Sequence, residues 1–120
     1  PKGDPRSNEQ IKLMMVHIHE NYSHHISVEE LAEVAHISKR ACFRLFQENM
    51  HMTPVEYIKT YRLQMACQIL AKSNEPITEV ASQCGLGSSS YFGKTFREEF
   101  SCTPLEYRKR WYNRDICGQQ

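Results

Sequence analysis

The 120-residue chain carries almost no net charge, no CxxC pair and no long apolar run, and each absence removes a class of protein. Fifteen Lys and Arg stand against fourteen Asp and Glu, a net charge of +1, so bulk charge announces neither a nucleic acid nor a membrane surface. Only local clustering can do so. No stretch approaches the ~18 apolar residues of a membrane span, and no basic start followed by an apolar segment marks an export signal, so a soluble, cytoplasmic protein is expected. The five cysteines (Cys42, Cys67, Cys84, Cys102 and Cys117) are an odd set lying mostly among apolar residues, which favours reduced, buried thiols over disulfides or a metal. Five Gly and five Pro rule out collagen and low-complexity composition. A chain of this length buries roughly two-thirds of its unfolded surface, enough for a core but not for a catalytic barrel or a large nucleotide-binding sheet.

Catalysis is also disfavoured residue by residue. His17, His19, His24 and His25 cluster near the end of the first expected helix. His17 and His19 would lie about 200° apart around that helix, no HExxH occurs, and no carboxylate is placed to complete a site. No enzyme, no metal and no cofactor are expected.

What is present is helical periodicity almost throughout, with no strict two-residue alternation long enough for a strand, so the fold class is all-α with about seven helices. Ser7 and Gln10 suggest a capping box opening a helix that presents Ile11, Met15, Ile18 and Tyr22 and ends near Ser23. Ser27 with Glu30 opens a short helix through Leu31, Ala32 and Ala35 that breaks at His36-Ile37. Ser38 caps a third helix with Cys42, Leu45, Phe46 and Met50 inward and Lys39, Arg40, Phe43, Arg44 and Gln47 outward. Thr53-Pro54-Val55-Glu56 starts a long helix to about Lys72, with Ile58, Tyr61, Met65, Ile69 and Leu70 on its buried side. A short helix follows with Ile77, Val80, Ala81 and Cys84, then a break at Gly85, a helix from Ser88 facing inward with Phe92, Phe96 and Phe100, and a last one from Thr103-Pro104-Leu105-Glu106. That last helix carries Tyr107, Trp111 and a basic run, Arg108 to Arg110.

The second half repeats the first at a shift of 49 residues, becoming 50 after one insertion placed near Ser88 to Ser90. Glu30 and Ala32 match Glu79 and Ala81; Phe46, Thr53, Pro54, Glu56 and Tyr57 match Phe96, Thr103, Pro104, Glu106 and Tyr107; Arg44 matches Lys94. Each copy is a short bracing helix, a tight break and a second helix with a polar outer face, the requirements of a helix-turn-helix. The connector from Pro54 to Ala71 would span roughly 27 Å at 1.5 Å per residue. Neighbouring major-groove faces lie about 34 Å apart along one side of a duplex, so this length permits two reading helices in successive grooves of a long, asymmetric site.

These residues resemble the C-terminal DNA-binding domain of the AraC/XylS family of bacterial transcription regulators. The likeness rests on Ile26-Ser27-Val28-Glu29-Glu30-Leu31-Ala32 leading to His36-Ile37-Ser38, on Tyr61-Arg62-Leu63-Gln64-Met65-Ala66 in the connector, and on Ile77-Thr78-Glu79-Val80-Ala81-Ser82-Gln83-Cys84-Gly85-Leu86 through Ser90-Tyr91-Phe92, Phe96-Arg97 and Thr103-Pro104-Leu105-Glu106-Tyr107. It covers residues 8–112. The expected organisation is a linker remnant of a longer protein at 1–7, a first homeodomain-like unit over about 8–52, a linker helix over about 53–72, a second unit over about 73–112 and a loose tail at 113–120.

The resemblance implies sequence-specific binding of double-stranded promoter DNA and, most often, activation through RNA polymerase. A small-molecule effector would act only through a sensor domain outside these residues. In the first unit it assigns DNA contact to Arg40, Phe43 and Arg44, with Ser38, Lys39 and Gln47 beside them; in the second, to Ser88, Ser89, Ser90, Gly93, Lys94 and Arg97. Arginine can pair bidentately with guanine and Phe43 can rest on a thymine methyl, whereas serines suit phosphate oxygens, so the first unit is expected to discriminate sequence and the second to position the domain. His36 stands where the family commonly has glycine. The competing reading is a helical protein-interaction module whose partner docks on the Lys39, Arg40, Phe43 and Arg44 face or on the Arg108 to Arg110 run.

Overall fold

The computed structural model describes residues 5–112, and within them every regular element is an α-helix: α1 (Pro5–Asn21), α2 (Val28–Ala35), α3 (Lys39–Met50), α4 (Pro54–Lys72), α5 (Ile77–Gln83), α6 (Ser89–Phe100) and α7 (Pro104–Trp111). The expected loose tail and Cys117 lie outside the described residues. The chain divides into two compact units between Tyr61 and Arg62, inside α4.

In the first unit Ile11, Met14 and Ile18 of α1 pack with Leu31, Ala32 and Ala35 of α2, Cys42, Leu45 and Phe46 of α3, and Ile58 of α4. Two details of α1 differ from expectation. The helix starts at Pro5, so Ser7 lies within its first turn instead of capping it, consistent with the preference for proline at a first helical position. Met14, fully buried, takes the core place assigned to Met15, which is only half-buried. Rotating the buried stripe from Met15 to Met14 sets Cys42 Sγ 3.7 Å from the Met14 sulfur.

The second unit is built on Leu63, Ala66 and Leu70 of α4, Val80 and Ala81 of α5, Cys84, Leu86, and Phe92 and Phe96 of α6. Phe96 sits at the centre of an aromatic cluster, 5.7 Å from Phe92, 4.6 Å from Phe100 and 5.5 Å from Tyr107 between ring centroids. Leu63 and Ala66 are core positions that the expected stripe on α4 omitted; Tyr61, Met65 and Ile69 on that stripe are half-buried.

The repeat is visible in backbone hydrogen bonds. After α2, His36 N–H donates to Glu33 O and Ile37 N–H to Ala32 O; after α5, Gly85 N–H donates to Ser82 O and Leu86 N–H to Ala81 O, the same pairs displaced by 49 residues. Such paired bonds close a helix through a left-handed residue, and both turns have one: His36 at φ 58° and Gly85 at φ 69°. From the next caps onward the displacement is 50. Ser38 and Ser88 accept from the N–H of Ala41 and Tyr91, and His51 and Ser101 end α3 and α6 at φ 58° and 63°. Thr53 with Glu56 and Thr103 with Glu106 form reciprocal capping boxes of identical geometry, 2.8 and 3.1 Å in each case. The inserted residue is therefore Gly87, with φ 75°, and not one of Ser88 to Ser90. A cap and a first turn tolerate no extra residue, whereas a glycine in the preceding break adopts the left-handed region at little cost.

His36 holds the turn that glycine holds in the second unit, at a conformational cost of about 1 kcal/mol for a residue with a Cβ. His36→Gly is expected to raise the stability of the first unit by about 0.5–1 kcal/mol, read as a higher urea midpoint at unchanged slope.

Candidate nucleic-acid interface

The outward face of α3 follows from its inward one. Cys42, Leu45 and Phe46 are buried, so a helical period turns Lys39, Arg40, Phe43, Arg44 and Gln47 to solvent, and all five are exposed. Phe43 is 41% exposed between two arginines, an unusual place for a phenylalanine with the core open to it on the other side of the helix. Lys39 Nζ donates to Glu29 Oε2 at 3.0 Å and Arg44 Nε lies 3.9 Å from Glu48 Oε2. Ser38 is exposed too, but its hydroxyl oxygen accepts the Ala41 N–H as the helix cap.

In α6 the corresponding face is shorter. Ser89, Ser90, Lys94 and Arg97 are exposed, Gly93 is half-buried, and Ser88 caps the helix by accepting from Tyr91 N–H. A Cβ at Gly93 would meet nothing within 4 Å, so packing within the protein does not require glycine there. A mid-helix glycine costs up to about 1 kcal/mol relative to alanine. Tyr91, 51% exposed on the same helix, was not singled out from the sequence. It stands where the first unit has Ala41, and an aromatic residue next to Phe92 reads as core until the helix is oriented.

Residues around α3 hold the bracing helix. Ser27 caps α2 by accepting Glu30 N–H at 3.0 Å, and the Glu30 carboxylate pairs with His17 Nε2, joining α1 to α2. This hydrogen bond from His17 holds the Glu30 carboxyl below its ordinary value of 4.5, against the opposing effect of desolvation. A carboxylate depressed in the folded state stabilises it above the unfolded pKa, and that contribution is lost as pH falls through the folded value. The stability difference between the wild type and Glu30→Gln is accordingly expected to be full above about pH 4.5 and to shrink below it, in urea titrations from pH 7 to 3. His19, by contrast, stacks on Tyr61 at 4.2 Å and bonds the Tyr57 hydroxyl, a packing role. Among the described residues no group of three or more His, Cys, Asp or Glu could hold a metal ion, and no helix is long and apolar enough to cross a membrane.

One expected surface is corrected. Arg108 does not belong to an exposed basic run: it is 8% exposed, and its Nε donates to the carbonyl of Leu70 at 3.2 Å near the C-terminal end of α4. Its place in the repeat is that of buried Ile58, so the register of α7 turns it inward and leaves Lys109 and Arg110 exposed. Trp111 on the same helix is 41% exposed with its ring 6.2 Å from Tyr107.

Residues 31–110 match a family model described as a helix-turn-helix domain. The chain of an AraC-type DNA-binding domain-containing transcriptional regulator from Chromobacterium violaceum superposes with a TM-score of 0.82 at 27% identity, over 87% of this chain and 93% of that one. This chain belongs to the AraC/XylS family of helix-turn-helix DNA-binding domains. The DNA-binding domain of AdpA, a global transcriptional factor solved in complex with a target DNA, superposes at a TM-score of 0.79 and 25% identity, over 92% of this chain and 97% of that one. Among curated proteins, the RCS-specific transcriptional activator RclR of Escherichia coli is 37% identical over 106 residues, 88% of this chain and 36% of RclR. The regulator GbdR of Pseudomonas aeruginosa is 36% identical over 107 residues, 89% of this chain and 28% of GbdR. The chain thus spans about a third of the length of the curated relatives it matches. The chain is thus a helix-turn-helix DNA-binding domain of this family, and the relatives named here are transcription regulators.

Proposed function

We propose that α3 reads base edges in a major groove with Arg40, Phe43 and Arg44, flanked by Ser38, Lys39 and Gln47, while α6 chiefly grips phosphates with Ser88, Ser89, Ser90, Gly93, Lys94 and Arg97. The observation that carries this reading is the exposed Phe43 between two exposed arginines, a trio suited to a thymine methyl flanked by guanines. The bare Gly93 position supports the second half, since it lets backbone come close to a partner at a site where no protein atom needs the room. Each unit takes one half-site of a long operator that need not be a palindrome. In the parent protein the domain, as residues 8–112, activates promoters in the bacterial cytoplasm through contact with RNA polymerase, and any small-molecule effector acts through a sensor region outside this chain.

Fluorescence anisotropy against duplex DNA and a non-nucleic polyanion over a salt series tests the reading, followed by operator selection from a random library. Saturable duplex binding that falls steeply with salt, and greater sensitivity to changes in the half-site read by the first unit, are the expected results. Equal sensitivity of the two half-sites overturns the division of labour. Absence of duplex binding by folded protein favours the interaction module.

A further inference from the structure

One electrostatic difference between the two copies of the helix-turn-helix is an ion pair that joins the bracing helix to the reading helix in the first copy. In the first, Glu29 in the opening turn of α2 holds Lys39 at the first position of α3, 3.0 Å from carboxylate to ammonium, with both side chains more than half exposed. The equivalent places in the second copy, displaced by 49 and 50 residues, are Thr78 and Ser89, so both charges are missing together. Its own backbone N–H first, and then the bond to Lys39, hold the Glu29 carboxyl below its ordinary value, so it is an anion throughout the neutral range.

A carboxylate in that place is costly on a DNA-binding surface, because the first helix of such a motif crosses the phosphate backbone. Its benefit must lie elsewhere. We propose that Glu29 is a specificity-determining residue, an internal competitor that occupies Lys39 and suppresses binding to DNA that lacks the operator sequence. Non-specific binding is almost entirely phosphate neutralisation and counterion release, so tying up one cation at the surface weakens it in full proportion. Operator binding is oriented by base contacts from Arg40, Phe43 and Arg44, the last only loosely paired with Glu48 at 3.9 Å, in a register that leaves Lys39 on Glu29, so releasing Lys39 adds less to operator binding than to random binding. The second copy, short of base-reading side chains, has nothing to protect and carries neither member of the pair. This inference rests on the assignment of α3 as the base-reading helix.

The test is Glu29→Gln in the full chain, with Glu9→Gln on α1 as a control for the same change in net charge. Binding to random duplex and to a selected operator is measured by anisotropy at several salt concentrations. Glu29→Gln is expected to tighten random-duplex binding roughly three- to tenfold, steepen its salt slope by about one, and tighten operator binding by less, lowering the specificity ratio; Glu9→Gln leaves the ratio unchanged. In Glu29→Gln/Lys39→Gln the gain disappears. A purely structural Glu29, favourable to the N-terminus of α2, predicts a lower melting temperature with weaker binding or none gained, and that result overturns the proposal, as does an equal gain on both DNAs. Failure of the wild-type chain to bind any duplex overturns the underlying assignment of α3 instead, so the two failures are distinguishable.

Discussion

Arg44→Ala is expected to weaken operator binding by roughly ten- to a hundredfold while changing random-duplex binding only a few-fold, the signature of a lost base contact. Arg44 is exposed on α3 and pairs with Glu48, one turn along the same helix at 3.9 Å, so truncation removes no core contact and the helix persists. Exposed pairs of that kind contribute little to stability, about 0–1 kcal/mol, and the melting temperature should hardly move. Lys94→Ala at the matching place in α6 is the internal comparison. As a phosphate contact it should weaken operator and random DNA by similar factors and reduce the salt slope by about one. If Arg44→Ala behaves in that uniform way too, Arg44 is a phosphate ligand and the reading of α3 is wrong in its most specific part.

The largest effect on stability is expected from Phe96→Ala, with a loss of about 3–5 kcal/mol. Phe96 is fully buried and touches the rings of Phe92, Phe100 and Tyr107, so truncation leaves a cavity bordered by aromatic groups that cannot collapse without moving α7 against α6. Against a total of about 5–15 kcal/mol for an ordinary domain, this removes a large part of the second unit's margin. Trp111, the single tryptophan, lies on α7 in the same unit and provides the measurement. Its fluorescence transition in urea should shift to much lower denaturant. An unshifted transition would mean that the aromatic cluster contributes little to holding α6 and α7 together.

The caps from α2 onward were legible in the sequence because they are local, whereas the cap expected at Ser7 lies inside α1 and the inserted residue expected near Ser88 to Ser90 is Gly87. A Thr-Pro-x-Glu run forms its reciprocal bonds within one turn wherever it occurs, and so Thr53 and Thr103 open helices as expected. The repeat was legible for the same reason, each copy repeating its caps. What stayed hidden depends on how one helix is rotated about its own axis. Met14 and Met15 are adjacent and equally apolar, and packing against the core, Cys42 included, chooses between them. Arg108 sat in a basic run whose composition says solvent, yet its long apolar stem can be buried if the guanidinium finds an acceptor, and the Leu70 carbonyl supplies one from 38 residues away. The outward face of α3 was legible because its charged and apolar residues separate cleanly. Tyr91 was not, because exposure of an aromatic residue is decided by neighbours from other helices.

The four described cysteines are all unpaired, and two of them, Cys67 and Cys84, are pushed by burial up to about 11. At neutral pH only about one molecule in ten thousand then carries a reactive thiolate at either position. Cys42 is fully buried in the first unit and is shifted in the same direction by the same cause. At Cys42 and Cys84, both fully buried, alkylating reagents must therefore wait for the helices to part. The thiols consequently serve as clocks already placed in the molecule: Cys42 times the opening of the first unit and Cys84 that of the second, each on its own dial.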